Sequence, residues 1–145
     1  MDRLAQDVRR VGSARRVRHV DEEGERGGAP EYNRSIPGAL KNAIDWASRP
    51  WGQNSFRRKP SAVIGASTGA IGTAIAQQDL RSLLGYCNSP QMNAPEAYIR
   101  FTPGLILEDG RVTNEKTEEF LRAFITEFHA YIGRVYTVLP RPVTR

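Results

Sequence analysis

The sequence has little cysteine and histidine, and it lacks a long apolar run. Its one cysteine, Cys87, cannot form an internal disulfide, and its two histidines do not complete the Cys/His spacing of a structural zinc site. The longest uncharged stretch, from Pro60 to Gln78, is diluted by glycine, serine and threonine, which excludes a membrane span. The arginine-rich start has no apolar core and therefore excludes a secretory signal. These absences predict a cytoplasmic protein without a metal centre.

Length and composition are those of one ordinary globular domain. Of the 145 residues, 39% are apolar and 26% are charged, and this mixture excludes a collagen-like, mucin-like or wholly disordered chain. The net charge of +5 is compatible with nucleic acid, but an anionic cofactor or substrate explains the same sign. Nucleic-acid binding is the less favoured class, because no aromatic residues interleave with the arginines of the start.

The chain divides into three parts of different composition. Residues 1–28 show neither helical nor strand periodicity and predict a disordered, arginine-rich segment. Residues 29–134 carry regular apolar patterns and predict the folded domain. Residues 135–145 contain two prolines and predict an irregular tail.

Helical and strand patterns alternate within the folded part. They predict a short helix capped by the hydroxyl of Ser35, a buried strand over residues 61–66 and a longer helix that ends near Cys87. A second extended stretch follows at residues 92–101, and a last helix is capped by Thr113. This alternation predicts an α/β domain with a parallel sheet.

Two segments occupy the positions where parallel sheets bind ligands, beyond the carboxyl ends of strands. They are residues 29–35 and residues 65–73. The glycines of the second segment match neither the G-x-G-x-x-G fingerprint nor a lysine-containing phosphate loop. Two interpretations stay open: a turn whose Gly65 and Gly69 let the backbone approach a flat or anionic ligand, and a tight turn without a ligand. The hydroxyls of Ser67 and Thr68 equally suit capping of the next helix.

Read together, the two segments resemble a known family. Pro-Glu-Tyr-Asn-Arg-Ser-Ile-Pro-Gly at residues 30–38 leads to Asp45-Trp46, and Gly-Ala-Ser-Thr-Gly-Ala-Ile-Gly follows at residues 65–72. Over about residues 29–131 the chain resembles the NAD(P)H-dependent FMN reductases, a family that includes chromate, quinone and azo-dye reductases. The resemblance implies a flavodoxin-like parallel sheet with flanking helices and FMN at the topological switch point.

The resemblance also implies where FMN is held. Backbone groups of the Pro-Glu-Tyr-Asn loop contact the polar edge of the isoalloxazine ring, and the Gly-Ala-Ser-x-Gly turn approaches its pyrimidine end. The implied cofactor-binding residues are Pro30, Glu31, Tyr32, Asn33, Gly65, Ala66, Ser67 and Gly69. No catalytic side chain is implied, because the flavin carries the chemistry and the protein supplies orientation and N–H donors.

The implied activity is a ping-pong transfer of hydride from NADPH or NADH through FMN to an acceptor such as a quinone. The resemblance further implies a homodimer or tetramer, with the helix that carries Lys41, Asn42, Asp45 and Trp46 at the interface. Two interpretations stay open for the basic residues Arg57 to Lys59: an ordinary solvated loop, or, as the resemblance implies, a basic patch near the opening that would attract the phosphates of NAD(P)H.

One departure from the family opens an alternative function. The family places three strands and a phosphate loop before Pro-Glu-Tyr-Asn, and the 29 residues that precede Pro30 are too few to contain them. The first strands and the phosphate loop are therefore expected to be missing. The alternative is a truncated, non-catalytic relative that acts by association with a complete subunit.

Overall fold

A two-stranded parallel sheet with three helices forms the described part of the protein, residues 29–139 of a computed structural model. In chain order the elements are α1 (Gly38–Ala47), β1 (Ser61–Ser67), α2 (Ala74–Tyr86), β2 (Gln91–Arg100) and α3 (Glu115–Val138). Helix α2 is the crossover that parallel strands require. The predicted α/β class is confirmed, whereas the prediction for residues 1–28 lies outside the described residues.

Helices cover both faces of the sheet, because successive side chains of a strand point to opposite sides. On one side, Val63 packs with Ile44 of α1 and Leu84 of α2, and Phe56 and Cys87 complete this cluster. On the other side Phe124 of α3 packs against Met92 and Ala97 of β2, with Ala62 and Ile64 of β1 beside them. Cys87 is 4% exposed, so its thiol is buried within this cluster.

The register of the sheet contains one bulge. Ala62 pairs with Met92 and Ile64 pairs with Ala97, so the four residues 93–96 of β2 lie opposite Val63 alone. Pro95 lies in this bulge, where its missing N–H costs no ladder hydrogen bond. Beyond the bulge the pairing is regular up to Ser67 opposite Arg100. Both strands therefore end at the same carboxyl edge of the sheet.

Two predicted helix caps are wrong. The residue that precedes α1 is Pro37, which makes no side-chain cap, while the Ser35 hydroxyl donates to Asp79 instead. Helix α3 is capped by Asn114, whose side chain accepts from the Thr117 N–H. The Thr113 hydroxyl donates to the carbonyl of Gly104. In each case a nearby acceptor from another part of the chain attracts the hydroxyl.

The predicted irregular tail is wrong for its first residues, because α3 continues to Val138. Val135 is buried, and the first proline, Pro140, comes only after the helix has ended. Burial therefore extends the helix to the point where a breaker occurs. Within residues 29–139, no helix combines the length and the apolar character that crossing a membrane requires.

Candidate functional site

The Pro-Glu-Tyr-Asn loop ends in a tight two-residue turn. Tyr32 and Ser35 exchange two backbone N–H···O bonds of 3.0 Å. Between them, Asn33 and Arg34 have φ angles of 51° and 62°. Positive φ at both central residues is the pattern of a type I′ turn. Asparagine tolerates this left-handed region well, whereas at Arg34 it costs about 1 kcal/mol.

The chain leaves the carboxyl end of β1 through a second turn, residues 67–73. The Ser67 hydroxyl oxygen accepts from the Gly69 N–H at 3.1 Å, so Ser67 stabilises this turn and does not cap α2. Gly72 has a φ of 59°, and a Cβ there would lie 3.3 Å from Cβ of Tyr98. The amide N–H groups of Ala70 and Ile71 donate to no group among residues 29–139. They are therefore available to a ligand.

These two turns line a single open cleft of about 290 Å³ at the carboxyl edge of the sheet. Its lining residues are Glu31, Arg34, Ser67, Gly69, Ala70, Ile71 and Gly72. Three of the predicted site residues, Glu31, Ser67 and Gly69, are thus brought together from segments that are more than thirty positions apart in the chain. The cleft is where a ligand held by both turns would bind.

The other predicted site residues belong to the same two segments but do not line the cleft. They are Pro30, Tyr32, Asn33, Gly65 and Ala66. At Gly65 the close approach is made by the protein's own helix α2, because an added Cβ would overlap Oγ1 of Thr73. Contact of these five residues with FMN stays a prediction.

Glu31 supplies the main unsatisfied polar group of the cleft. Its Oε2 atom is buried and accepts no hydrogen bond within the described part of the chain. A buried carboxylate oxygen of this kind needs a donor, because its desolvation is otherwise uncompensated. Arg34 lines the same cleft, so its guanidinium adds positive charge where an anionic ligand would enter.

The sequence patterns did not identify Arg34 and Ile71 as cleft residues. For Arg34 a signal existed: Asn33 favours the left-handed region, and an asparagine at the first central position indicates a type I′ turn. Such a turn would have placed Arg34 at its tip. For Ile71 no such signal existed, because its helical spacing equally suits a buried position. In the structure its side chain is 48% exposed.

The basic loop Arg57 to Lys59 is not near the opening. It immediately precedes Ser61, at the amino end of β1. Seven residues of parallel strand span roughly 20 Å, which separates this loop from the cleft at Ser67. The expectation that it faces the site is therefore wrong, because the strand direction places it at the opposite edge of the sheet.

Other cations lie at the carboxyl edge. A second cleft, of about 240 Å³, is lined by Tyr98, Ile99, Arg100, Lys116, Thr117 and Phe120. Because Arg100 pairs with Ser67 in the sheet, this cleft adjoins the first. The hydrogen bond that Tyr98 donates to Glu96 raises the pKa of the phenol above its usual value.

Comparison with known proteins identifies the family of the segment that contains the two turns. The family model for NADPH-dependent FMN reductase matches residues 28–103. This chain belongs to the NADPH-dependent FMN reductase family. The matched region contains both turns and both strands of the sheet.

Individual relatives support the same assignment. The chain is 50% identical over 103 residues to a 2-hydroxy-1,4-benzoquinone reductase from Burkholderia sp, covering 71% of this chain and 56% of the relative. It is 46% identical over 103 residues to a quinone reductase from Pseudomonas putida, covering 71% and 55%. The chain thus spans a little over half the length of these curated relatives.

A solved structure confirms the flavodoxin-like fold. FerB, a flavoenzyme NAD(P)H:(acceptor) oxidoreductase from Paracoccus denitrificans, is 51% identical and superimposes with a TM-score of 0.70. The match covers 72% of this chain and 58% of FerB. The two described strands and their helices are therefore part of a flavodoxin-like sheet.

The cleft residues fit the isoalloxazine ring of FMN. The polar edge of that ring carries both an N–H donor and carbonyl acceptors, and the cleft offers the complement of each. Among residues 29–139, Glu31 Oε2 is a buried acceptor without a donor, and the N–H groups of Ala70 and Ile71 are donors without acceptors. The exposed Ile71 side chain adds apolar surface for a flat ring.

Proposed function

We propose that this protein binds FMN in the cleft and uses NADPH or NADH to reduce an acceptor such as a quinone. The observation that carries the proposal is the convergence of the two turns on a cleft with one buried acceptor and two N–H donors that have no partner in the described part of the chain. Bound FMN supplies the hydride chemistry. The similar proteins are named as reductases or oxidoreductases, which supports the same activity for this chain. Their names also favour an enzyme over the non-catalytic alternative.

The protein's own groups would contribute binding, orientation and electrostatics. Glu31 would accept a hydrogen bond from the ring of FMN and so help to orient it. The N–H groups of Ala70 and Ile71 would donate to the ring and favour added negative charge on it. Arg34, with Arg100 and Lys116 in the adjoining cleft, makes the carboxyl edge attractive to phosphates.

We further propose a cytoplasmic homodimer or tetramer that uses α1 at its interface. Trp46 on this helix is 75% exposed and Trp51 just beyond it is 79% exposed. Large exposed aromatic side chains in one region are typical of interaction surfaces. Sedimentation of the purified protein measures this: a species of one chain's mass, 16.2 kDa, would contradict it.

Titration with FMN, followed by flavin fluorescence and by oxidation of NADPH, tests the proposed activity. We expect saturable binding and quinone-dependent oxidation. Gly69→Leu should abolish both, because the added side chain would enter the cleft while its Cβ makes only an ordinary 3.5 Å contact with Ser67. Gly133→Leu, on an open face of α3, is the matched control. A folded protein that binds no FMN, and co-purifies with a longer flavoprotein, would support the non-catalytic alternative instead.

A further inference from the structure

We infer that Asp79 is a positioning residue that holds the Tyr32–Ser35 turn in place against the turn after β1. The effect on FMN rests on the proposed function, whereas the effect on the turn itself does not. Asp79 lies on α2 and is absent from the lining of the cleft. It would therefore act through Ser35 and not by touching the ligand.

The link is a short hydrogen bond between distant parts of the chain. The Ser35 hydroxyl donates to Oδ2 of Asp79 at 2.6 Å, across 44 positions of sequence, and the contact is partly buried. This is the length typical of a hydroxyl bonded to a carboxylate, which is stronger than a bond between neutral groups. Within residues 29–139, it is the one side-chain hydrogen bond that connects residues 29–36 to another element.

The other end of the link belongs to a helix whose position is fixed by the sheet. Gln77, two residues before Asp79, is buried and donates from Nε2 to the carbonyl of Ala97 on β2 at 2.9 Å. The same nitrogen donates to Oγ1 of Thr73, which fills the space above Gly65 of β1. These contacts lock the start of α2 onto both strands. Asp79 is thus held at a defined place relative to the carboxyl edge.

Helix α2 therefore positions both walls of the cleft. One wall, the turn that ends at Gly72 and Thr73, leads directly into its first residue. The other wall, with Glu31 and Arg34, is tied to its second turn through Ser35. Without the Asp79 carboxylate the Tyr32–Ser35 turn would lose its one side-chain hydrogen bond to another element of residues 29–139. Its position relative to Ala70 and Ile71 would then vary.

Amide hydrogen exchange in the FMN-free protein tests the inference directly. Asp79→Ala and Ser35→Ala should each speed exchange of the Tyr32 and Ser35 amides about tenfold, with little change in the amides of Leu121 to Phe124 on α3. Asp79→Asn should restore most of the protection, because its amide oxygen still accepts from Ser35. Glu127→Ala removes a helical carboxylate that pairs with Arg134 and is the control.

FMN titration of the same variants supplies the second readout. We expect the Kd to rise about tenfold for Asp79→Ala and for Ser35→Ala, and no further in the double variant, because both remove one shared bond. Unchanged turn exchange, additive effects, or equally faster exchange in α3 would overturn the inference. If Asp79→Ala does not fold, the exchange rates and FMN affinity of Ser35→Ala decide whether the bond positions the turn, because that substitution removes a single oxygen. If the parent protein binds no FMN, the proposed function fails while the exchange data still decide the role of Asp79.

Discussion

Single residues of the cleft are held in states that would be unfavourable for folding alone. Arg34 has a left-handed backbone, and Glu31 has a buried carboxylate oxygen to which no group of residues 29–139 donates. Each costs free energy in the isolated protein. Such costs concentrate where a ligand is bound, because the ligand then provides the missing partner. Substitution should therefore separate stability from binding at both positions.

Arg34→Gly should raise the free energy of unfolding by about 1 kcal/mol, because glycine adopts the left-handed region without a Cβ penalty. Chemical denaturation measures the change. Arg57→Gly is the matched control: Arg57 is an exposed loop arginine that is not in the left-handed region, so the same replacement there should not stabilise. Equal effects at the two positions would contradict the assigned strain.

Glu31→Ala should weaken FMN binding about tenfold while leaving the unfolding free energy unchanged or raised, since the lost oxygen has no partner among the described residues. Glu31→Gln should lose less affinity, because it keeps an acceptor. Fluorescence titration and denaturation are measured on the same samples, with exposed Glu108→Ala as control. An FMN affinity of Glu31→Ala equal to that of the parent would show that Glu31 does not contact the ring.

At the scale of elements, the close packing of α2 on β1 determines where the cleft forms. Gly65 gives the first turn of α2 room to approach the strand, and Thr73 fills that room. The approach places the Ser67–Gly72 turn against Tyr98 of β2, where the N–H groups of Ala70 and Ile71 have no acceptor among residues 29–139. A side chain at Gly65 would displace the helix and, with it, one wall of the cleft.

Gly65→Ala should lower the free energy of unfolding by about 2 kcal/mol, because the added methyl group overlaps the Thr73 side chain. Gly133→Ala is the control: Gly133 lies inside α3 with open space around it, so alanine should stabilise by about 0.5–1 kcal/mol. Thermal and chemical denaturation measure both. The interpretation would be wrong if the two substitutions shifted stability in the same direction.

At the scale of the whole molecule, the parallel strands place all the binding groups on one edge of the sheet. Both strands end at this edge, Ser67 beside Arg100, and the two clefts adjoin there. The opposite edge carries the basic loop Arg57 to Lys59, far from any ligand held by the turns. A ligand at the carboxyl edge would connect elements that are separated along the chain and should stabilise the fold as a unit.

Saturating FMN should therefore raise the midpoint of thermal unfolding. A ligand at one hundred times its Kd adds about 2.7 kcal/mol to the stability of the folded state, which corresponds to a shift of several degrees. Differential scanning fluorimetry at increasing FMN concentration measures this shift. Gly69→Leu should unfold at the same temperature with and without FMN, and a shift of the parent's size in that variant would place the ligand elsewhere.

Sequence patterns alone predicted the elements, because burial imposes a period on apolar residues. The uninterrupted run Ala62–Ala66 indicated a strand covered on both faces, and the stripe around Phe124 indicated a helix against the sheet. The helix caps failed for the opposite reason. Ser35 and Thr113 have the right residue type at nearly the right place, yet their hydroxyls bond to Asp79 and Gly104. Local propensity cannot show a partner that only folding brings near.

The amino-acid sequence by itself determined the α/β class, the family and the two segments that form the candidate site, since each depends on residue types at short spacing. Only the tertiary structure decided which atoms of those segments face each other. In the folded protein Glu31 and Arg34 line the cleft, and Gly65 packs closely against Thr73 at the start of α2. The basic loop Arg57 to Lys59 lies at the opposite edge of the sheet. The physical reason is that strand direction and helix packing bring together residues that are far apart in the sequence, whereas a local pattern reports only on neighbouring residues.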